Sequence, residues 1–149
     1  MAHTYDYPRP ALTVDCIIFG QAPDSEDSKD VKVLLIQRAH EPFVGKWAIP
    51  GGFIDANETA LQAANRELEE ETNLSGINMQ QMHTFTTPGR DPRGWVVSIA
   101  YYAVVNIDEC KPIAGDDARN ATWFSVNELP EMAFDHDDIM KMAIGRVLK

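Results

Sequence analysis

Three glutamates in residues 67–71 have the types and spacing that suit chemistry best. Glu67, Glu70 and Glu71 stand at i, i+3 and i+4, so in a helix their side chains would project from one side. Like charges at these separations destabilise a helix by about 0.2–0.5 kcal/mol per pair. A divalent cation would reverse that sign, and carboxylate oxygens suit Mg²⁺ or Mn²⁺, which also bind substrate phosphates. The spacing therefore predicts a metal site on one face of a helix.

Capping signals place the helix that would carry these carboxylates at residues 57–72. Asp55 followed by Glu58 has the pattern of a capping box, and Asn57 is an alternative N-cap. Asn73 stands where a C-terminal cap belongs. Just before the helix, residues 50–52 read Pro-Gly-Gly, which predicts a tight turn whose backbone can approach a ligand closely.

The same helix has two expected sides. We expect Leu61 and Leu68 to face the core. We expect Ala60, Ala63 and Ala64 to lie beside the carboxylates, where their small side chains would leave room for a substrate.

The complete spacing resembles the Nudix box, the signature of the Nudix hydrolases, written G-x5-E-x7-R-E-U-x-E-E-x-G-U with U an apolar residue. The matching positions are Gly52, Glu58, Arg66, Glu67, Leu68, Glu70, Glu71 and Leu74. Asn73 replaces the final glycine, a change that touches a helix cap and no metal ligand. The resemblance implies an α/β fold, with an α/β/α sandwich around a mixed sheet. It also implies hydrolysis of a nucleoside diphosphate linked to another group.

The resemblance further implies which groups bind the metal. Glu67, Glu70 and Glu71, with the carbonyl of Gly52, would hold Mg²⁺ or Mn²⁺. Metal ions can neutralise a diphosphate and lower the pKa of an attacking water.

Catalytic roles follow from the same resemblance. Glu58 and Arg66 would orient the loop and the ligands, Arg66 through ion pairs with neighbouring glutamates. Glu70 is the first choice for the general base. Asp116 or Asp117, in a glycine-containing loop, is the second choice.

Substrate contacts are sought among cations and aromatic residues outside the box. Arg38 follows an apolar strand, and Arg90 and Arg93 lie in residues 88–95, a loop with two prolines and two glycines. Arginine can grip phosphate or stack on a base, although this loop could equally be a structural ion-pair corner and Arg38 a solvated edge residue. Trp47 flanks the approach to the glycine turn and could instead belong to the core.

Segments 41–47, 88–95 and 128–136 resemble a bacterial group of ADP-ribose pyrophosphatases. The interpretation is therefore hydrolysis of ADP-ribose, a small nucleotide sugar, to AMP and ribose 5-phosphate. One alternative is a housecleaning hydrolase of modified nucleoside triphosphates. Another is a non-catalytic ADP-ribose sensor, which the complete glutamate set and the absence of a basic helix after the domain both oppose.

Length and charge predict a single domain over residues 1–149. A chain of 149 residues, 44% hydrophobic, can build one core. Its net charge of −10, without a basic patch, argues against a nucleic-acid partner. No signal peptide or membrane span is apparent, and Cys16 and Cys110 lack a metal-type spacing. We expect reduced thiols and a cytoplasmic location, and the family resemblance suggests a homodimer.

Apolar and β-branched runs predict the remaining elements. Strands are expected at residues 12–19, 31–38, 47–49, 79–85, 96–105 and 121–124. The first two should be neighbours in the sheet. A second helix should begin at Asp135, acting as a cap, with an apolar face formed by Ile139, Met142, Ala143, Ile144 and Val147.

Overall fold

One mixed sheet lies between two helices in the computed structural model, which describes residues 4–23, 31–115 and 118–148. The strands are β1 (Ala11–Gln21), β2 (Lys32–Arg38), β3 (Trp47–Ala48), β4 (Gly51–Phe53), β5 (Gln80–Phe85), β6 (Val96–Asn106) and β7 (Ala118–Ser125). The helices are α1 (Ala60–Thr72) and α2 (His136–Val147), and a short 3₁₀ helix spans Ile107–Glu109. Each predicted strand is present, with ends shifted by a few residues at most.

Strand β1 is the centre of the sheet. It pairs antiparallel with β2, where Phe19 lies opposite Val33, so the predicted neighbours are confirmed. It pairs in parallel with β6 along its whole length. Its first half also pairs antiparallel with β4, where Val14 lies opposite Gly52. The predicted tight turn is reduced to a bend at Pro50, because Gly51 and Gly52 are the first two residues of β4. The name glycine turn is kept for residues 50–52, which are tied directly to the central strand.

Alternate residues of β1 face opposite helices. Those in the cluster with α1 are Val14, Cys16 and Ile18, and those in the cluster with α2 are Ile17 and Phe19. Because both faces of the strand are covered, its sequence is a nearly continuous apolar run rather than an alternating one. The predicted α/β/α sandwich around a mixed sheet is confirmed.

The orientation of α1 differs from the expectation. Ala63 and Ala64 are fully buried with Leu68, while Leu61 is 42% exposed. The small residues thus leave no room for a substrate, and assigning Leu61 to the core was wrong. Their size instead lets the helix approach β1, where the Cys16 thiol donates a hydrogen bond to the Ala64 carbonyl at 3.3 Å.

Helix α1 also begins later than predicted. Thr59 is the N-cap, and its hydroxyl accepts a hydrogen bond from the Gln62 N–H at 3.1 Å while the Gln62 side chain accepts one from the Thr59 N–H at 2.8 Å. The Glu58 carboxylate accepts from the Asp55 N–H at 2.8 Å. That contact closes the turn before the helix and does not cap it. Asn57 has a left-handed backbone, with φ of 69°, so it is not the cap either.

The other helix ends are closer to the prediction. Asn73 caps α1 in the left-handed conformation, with φ of 62°, as expected. Asp135 precedes α2, but its side chain makes no capping hydrogen bond. The buried methionine of α2 is Met140 rather than the predicted Met142. The buried face of α2 begins at His136, the first residue of the helix, and Met140 lies on that face because it is four residues further along.

Two further observations concern the whole chain. Cys16 is buried and Cys110 is half-buried, and both are free thiols, as expected. Neither helix of the described ranges is long and apolar enough to cross a membrane.

Replacing Thr59 with alanine should destabilise the protein by about 1 kcal/mol, because it removes one half of the capping box. Urea unfolding followed by circular dichroism measures this loss. Asn57→Gly is the matched control, since it keeps the left-handed backbone and deletes the side chain of the rejected cap. An equal loss in both variants would contradict the assignment of Thr59.

Candidate active site

The glycine turn, whose last two residues begin β4, is held between α1 and β1. The Gly51 N–H donates a hydrogen bond to the Glu71 carboxylate at 2.7 Å, and the Pro50 carbonyl accepts one from the Cys16 N–H at 2.7 Å. A side chain at Gly52 would place its first carbon 2.5 Å from the Glu67 carboxyl carbon. A side chain at position 52 would therefore displace the Glu67 carboxylate, and one at position 51 would meet the Val14 carbonyl at 2.0 Å, a backbone atom that cannot move aside as easily.

The three glutamates of α1 differ in exposure. Glu71 is buried at 8% exposure, and burial raises the pKa of its carboxyl group to about 8 against the opposing effect of the Gly51 N–H. Burial also raises the pKa of Glu67. Glu70 retains 53% of its side-chain exposure. On this face of α1 the carboxyl group of Glu71 is shielded from water, whereas that of Glu70 reaches solvent.

Arg66 connects three parts of this site. Its guanidinium forms a two-pronged ion pair with Glu58 at 2.6 and 3.1 Å and donates to the Phe53 carbonyl of β4 at 3.0 Å. It also contacts Glu67 at 2.8 Å and, more loosely, Glu70 at 3.3 Å. The predicted ion pairs between Arg66 and the neighbouring glutamates are present, so this side chain fixes α1 against the loop that precedes it.

The residues present fit a divalent cation, although no group of three or more metal-ligating side chains is gathered at one point in the described parts of the chain. Glu67 is turned toward Arg66, and Glu71 toward the Gly51 N–H. The fit lies in the donor set, which is hard carboxylate oxygen beside a side-chain-free turn. It lies also in the raised pKa of the buried Glu71, whose negative charge has too little compensation without a cation.

A second group of cations lies near this face. Arg38, Glu71, Arg90 and Arg93 line one narrow cavity beside the glycine turn. The Arg38 Nε donates to the Pro42 carbonyl at 2.6 Å, and burial followed by the nearby Arg93 lowers the pKa of Arg38. Arg38 also lines a neighbouring cavity of about 150 Å³ with Glu67 and Glu71, so it shares cavities with both of these carboxylates.

Arg90 and Arg93 are already paired within the protein. Arg90, 6% exposed in its side chain, forms two hydrogen bonds to Asp135 at 2.7 and 2.9 Å. Arg93 pairs with Asp91 at 2.8 Å and lies over the rings of Phe53 and Phe134, each 4.7 Å from its guanidinium carbon. Residues 88–95 thus form the ion-pair corner that was the structural alternative for this loop.

Trp47 packs into the core rather than over the glycine turn. Its ring meets Phe124 edge-on, with 4.7 Å between ring centroids, and it belongs to the cluster beneath α2. The core alternative for this residue is therefore the one that the structure favours.

Asp116 and Asp117, the second choice for the general base, lie outside the described residues. Next to them, Gly115 packs so closely on α1 that a side chain there would meet the Glu70 carbonyl at 1.7 Å. An open cavity of about 610 Å³ lies along this side of the helix, lined by Arg66, Glu69, Glu70, Asn73, Ala114 and Gly115. It gives Glu70 free access to solvent and to a substrate.

Sequence reasoning missed a buried polar group behind the glycine turn. Asp15 accepts a hydrogen bond from the Ser98 hydroxyl, and its other oxygen lies 3.5 Å from Nε2 of His136. His136 is also the first residue of α2. Asp15 was detectable, because a single carboxylate inside an apolar strand is rarely buried without a partner.

Comparison with known proteins gives a consistent assignment. Residues 9–143 match the NUDIX domain family. The ADP-ribose pyrophosphatase of Methanocaldococcus jannaschii is 44% identical over 135 residues, which cover 91% of this chain and 73% of that protein. The ADPR responsive transcriptional repressor NtrR of Acinetobacter baylyi is 33% identical over 146 residues, covering 95% of this chain but only 56% of the repressor.

A solved structure agrees in fold as well as in sequence. The NUDIX domain of Shewanella oneidensis NrtR, crystallised with ADP ribose, matches with a TM-score of 0.83 at 32% identity. The match covers 96% of this chain and 94% of that domain. This chain therefore corresponds to nearly all of that domain and to little more than half of the curated repressor.

The buried Glu71 predicts how stability depends on pH when no divalent ion is present. Its pKa is raised from 4.5 to about 8 in the folded state, so between these values the folded protein holds a proton that the unfolded chain releases. The free energy of unfolding should fall as pH rises through this window, by up to about 1.4 kcal/mol per pH unit. Urea unfolding in chelator, repeated across this range, measures the slope.

Glu71→Gln is the control for this prediction, because the amide keeps the size of the side chain and does not titrate. It should flatten the slope. Mg²⁺ should raise stability most at the high-pH end, where the ionised carboxylate is available to bind it. A slope unchanged in Glu71→Gln would assign the pH dependence to another group.

Proposed function

Because the chain belongs to the Nudix family, we propose that it is a hydrolase, dependent on Mg²⁺ or Mn²⁺, of nucleoside diphosphates linked to another group. We propose ADP-ribose as the substrate, cleaved by water to AMP and ribose 5-phosphate. The observation that carries the proposal is the packing of Glu67 and Glu71 against the Gly51-Gly52 turn. Similarity to an archaeal ADP-ribose pyrophosphatase over 91% of this chain supports the choice of substrate.

The proposed metal ligands are Glu67, Glu70, Glu71 and the Gly52 carbonyl. A bound Mg²⁺ would neutralise diphosphate charge and acidify an attacking water. The side chains must first exchange partners, since Glu67 is bound by Arg66 and Glu71 by the Gly51 N–H. Arg66 keeps its contacts with Glu58 and with β4 through other nitrogens, so the helix stays anchored while Glu67 turns toward a cation.

Glu70 is the proposed general base. It lies on the same face as the other two glutamates but reaches solvent, and its contact with Arg66, at 3.3 Å, is longer than the contacts that Arg66 makes with Glu58 and Glu67. A carboxylate with this freedom can accept a proton from a water beside the diphosphate. Arg66 and Glu58 act as positioning residues, because they hold the loop and the helix in register.

Arg38 is the favoured substrate contact. Arg38 lines two cavities that adjoin Glu71 and the glycine turn. Its guanidinium donates through Nε to the Pro42 carbonyl and lies over the Phe134 ring, 4.9 Å from the ring centroid. Arg90 and Arg93 would contribute positive potential while bound to Asp135 and Asp91. Direct contact of either with a phosphate would require a change of partner. Trp47 would act by supporting β3 from the core.

Assembly and location are also proposals. We propose one Nudix domain over residues 1–149 and a homodimer in the cytoplasm, with no nucleic-acid or membrane partner. The free thiols of Cys16 and Cys110 suit a reducing compartment, and the net charge of −10 disfavours binding to a phosphate backbone.

The second candidate function is ADP-ribose sensing without cleavage. It is favoured by the match to the NrtR domain crystallised with ADP ribose. The intact set of three glutamates favours catalysis over sensing. A housecleaning activity on modified nucleoside triphosphates would use the same groups and remains the alternative within enzymes.

Glu70→Gln and Glu71→Gln should each lower the turnover of ADP-ribose by about a hundredfold or more, since each removes a proton acceptor or a metal ligand. Product analysis with Mg²⁺ measures this across ADP-ribose, NADH, diadenosine polyphosphates and 8-oxo-dGTP. Glu69→Gln is the matched control, because Glu69 is on the same helix but outside the proposed ligand set. Full activity in all three variants would refute the proposed site, and bound but uncleaved ADP-ribose in the wild type would favour the sensor.

Arg38→Gln should raise the KM for ADP-ribose by about tenfold or more and change kcat less, because a charge-assisted hydrogen bond contributes about 1.5–3 kcal/mol. Steady-state kinetics at saturating Mg²⁺ separates the two constants. Arg146→Gln, at an exposed position in the last turn of α2, removes the same charge at a remote place. Equal KM values for both variants would exclude Arg38 as a substrate contact.

A further inference from the structure

Residues 133–136, at the start of α2, form hydrogen bonds with β3 and with Ile49, the residue that follows it. The Ala133 N–H donates to the Trp47 carbonyl at 2.8 Å, and the Ile49 N–H donates to Nδ1 of His136 at 3.0 Å. These bonds bracket β3, and Ile49 is followed directly by Pro50 and the two glycines. The backbone that reaches the carboxylates is therefore fixed from behind by this segment.

The hydrogen-bond partners of His136 define its tautomer. Nδ1 accepts the Ile49 N–H, so it cannot carry a hydrogen, and the ring proton of the neutral imidazole must be on Nε2. Nε2 faces Asp15 at 3.5 Å, and the second oxygen of Asp15 accepts the Ser98 hydroxyl. Each buried polar atom of this group has a defined role, and a carboxylate that orients an imidazole is a common supporting arrangement.

The surroundings keep this imidazole neutral. His136 is 6% exposed, and burial lowers its pKa although Asp15 and Asp135 act in the opposite direction. Arg90 and Arg38 add to the lowering. A protonated ring would place a hydrogen on Nδ1 facing the Ile49 N–H, and the bond to the strand would be lost.

We propose that His136, oriented by Asp15, is a positioning residue for the metal site, acting through its Nδ1 hydrogen bond to the Ile49 N–H. The bond fixes the backbone just before the glycine turn. The turn then carries the Gly51 N–H that binds Glu71 and the Gly52 carbonyl that would bind a cation. This inference rests on the proposed metal-dependent function. It assigns to the buried Asp15, Ser98 and His136 group a role that the family signature does not include.

Two isosteric substitutions separate the two ring nitrogens. In His136→Asn the amide oxygen can occupy the place of Nδ1 and accept the Ile49 N–H. In His136→Gln the longer side chain reaches the place of Nε2 near Asp15 and leaves the Ile49 N–H without its acceptor. Binding of Mn²⁺ in the absence of substrate, followed by the electron paramagnetic resonance signal of free Mn²⁺, reports on the site without relying on catalysis.

The wild type and His136→Asn should bind Mn²⁺ with similar dissociation constants, whereas His136→Gln should bind about tenfold or more weakly, as is usual when support of a metal ligand is lost. His83→Asn is the control, because its ring packs on Phe85 in β5, 4.8 Å between centroids. Thermal unfolding of each variant shows whether the fold is kept. If His136→Gln does not fold, the imidazole ¹⁵N shifts of the wild type decide, since an Nδ1 that carries the proton would overturn the inference.

The possible results separate this inference from the function on which it rests. A wild-type protein that binds no Mn²⁺ would contradict the proposed metal dependence itself. Mn²⁺ binding that is equally tight in the wild type, His136→Asn and His136→Gln would leave that function intact and overturn only the role of His136.

Discussion

The hydrogen bond from the Gly51 N–H to the Glu71 carboxylate joins the start of β4 to α1 beside a carboxyl group that is shielded from water. A buried carboxyl group is unfavourable when ionised unless donors or a cation surround it. Here one backbone donor is supplied, and burial still raises the pKa of Glu71 to about 8. The ionised carboxylate of Glu71 therefore lacks enough neighbouring positive charge, and a divalent cation would supply it.

Arg66 supplies positive charge to the other two glutamates, Glu67 and Glu70. It reaches the loop through Glu58, the sheet through the Phe53 carbonyl, and the helix through Glu67. These contacts explain why the carboxylates can be held close together in a marginally stable fold, since like charges alone would push them apart. For a metal to bind, the contacts of Arg66 with Glu67 and Glu70 would change, whereas its contacts with Glu58 and the Phe53 carbonyl would not, so the anchoring of the helix and the availability of the ligands are partly independent.

The three arginines near the site, Arg38, Arg90 and Arg93, have different partners. Arg90 and Arg93 are each bound to an aspartate, and Arg93 also lies between two phenylalanine rings. They build the wall of the cavity. Arg38 donates to the Pro42 carbonyl through Nε and shares a cavity with Gly51, Glu67 and Glu71. A chain with a net charge of −10 thus concentrates fixed positive charge where a diphosphate would enter.

The sequence by itself determined the helix with its acidic face and the succession of strands along the chain, because each depends on local periodicity. Only the tertiary structure decided which side of α1 is buried, since Ala63 and Ala64 face β1 for reasons of close packing that spacing does not encode. Tertiary structure also decided that Arg90 is paired and that Asp15 meets His136. Those partners lie 45 to 121 positions apart in the chain, and only the folded backbone brings them together.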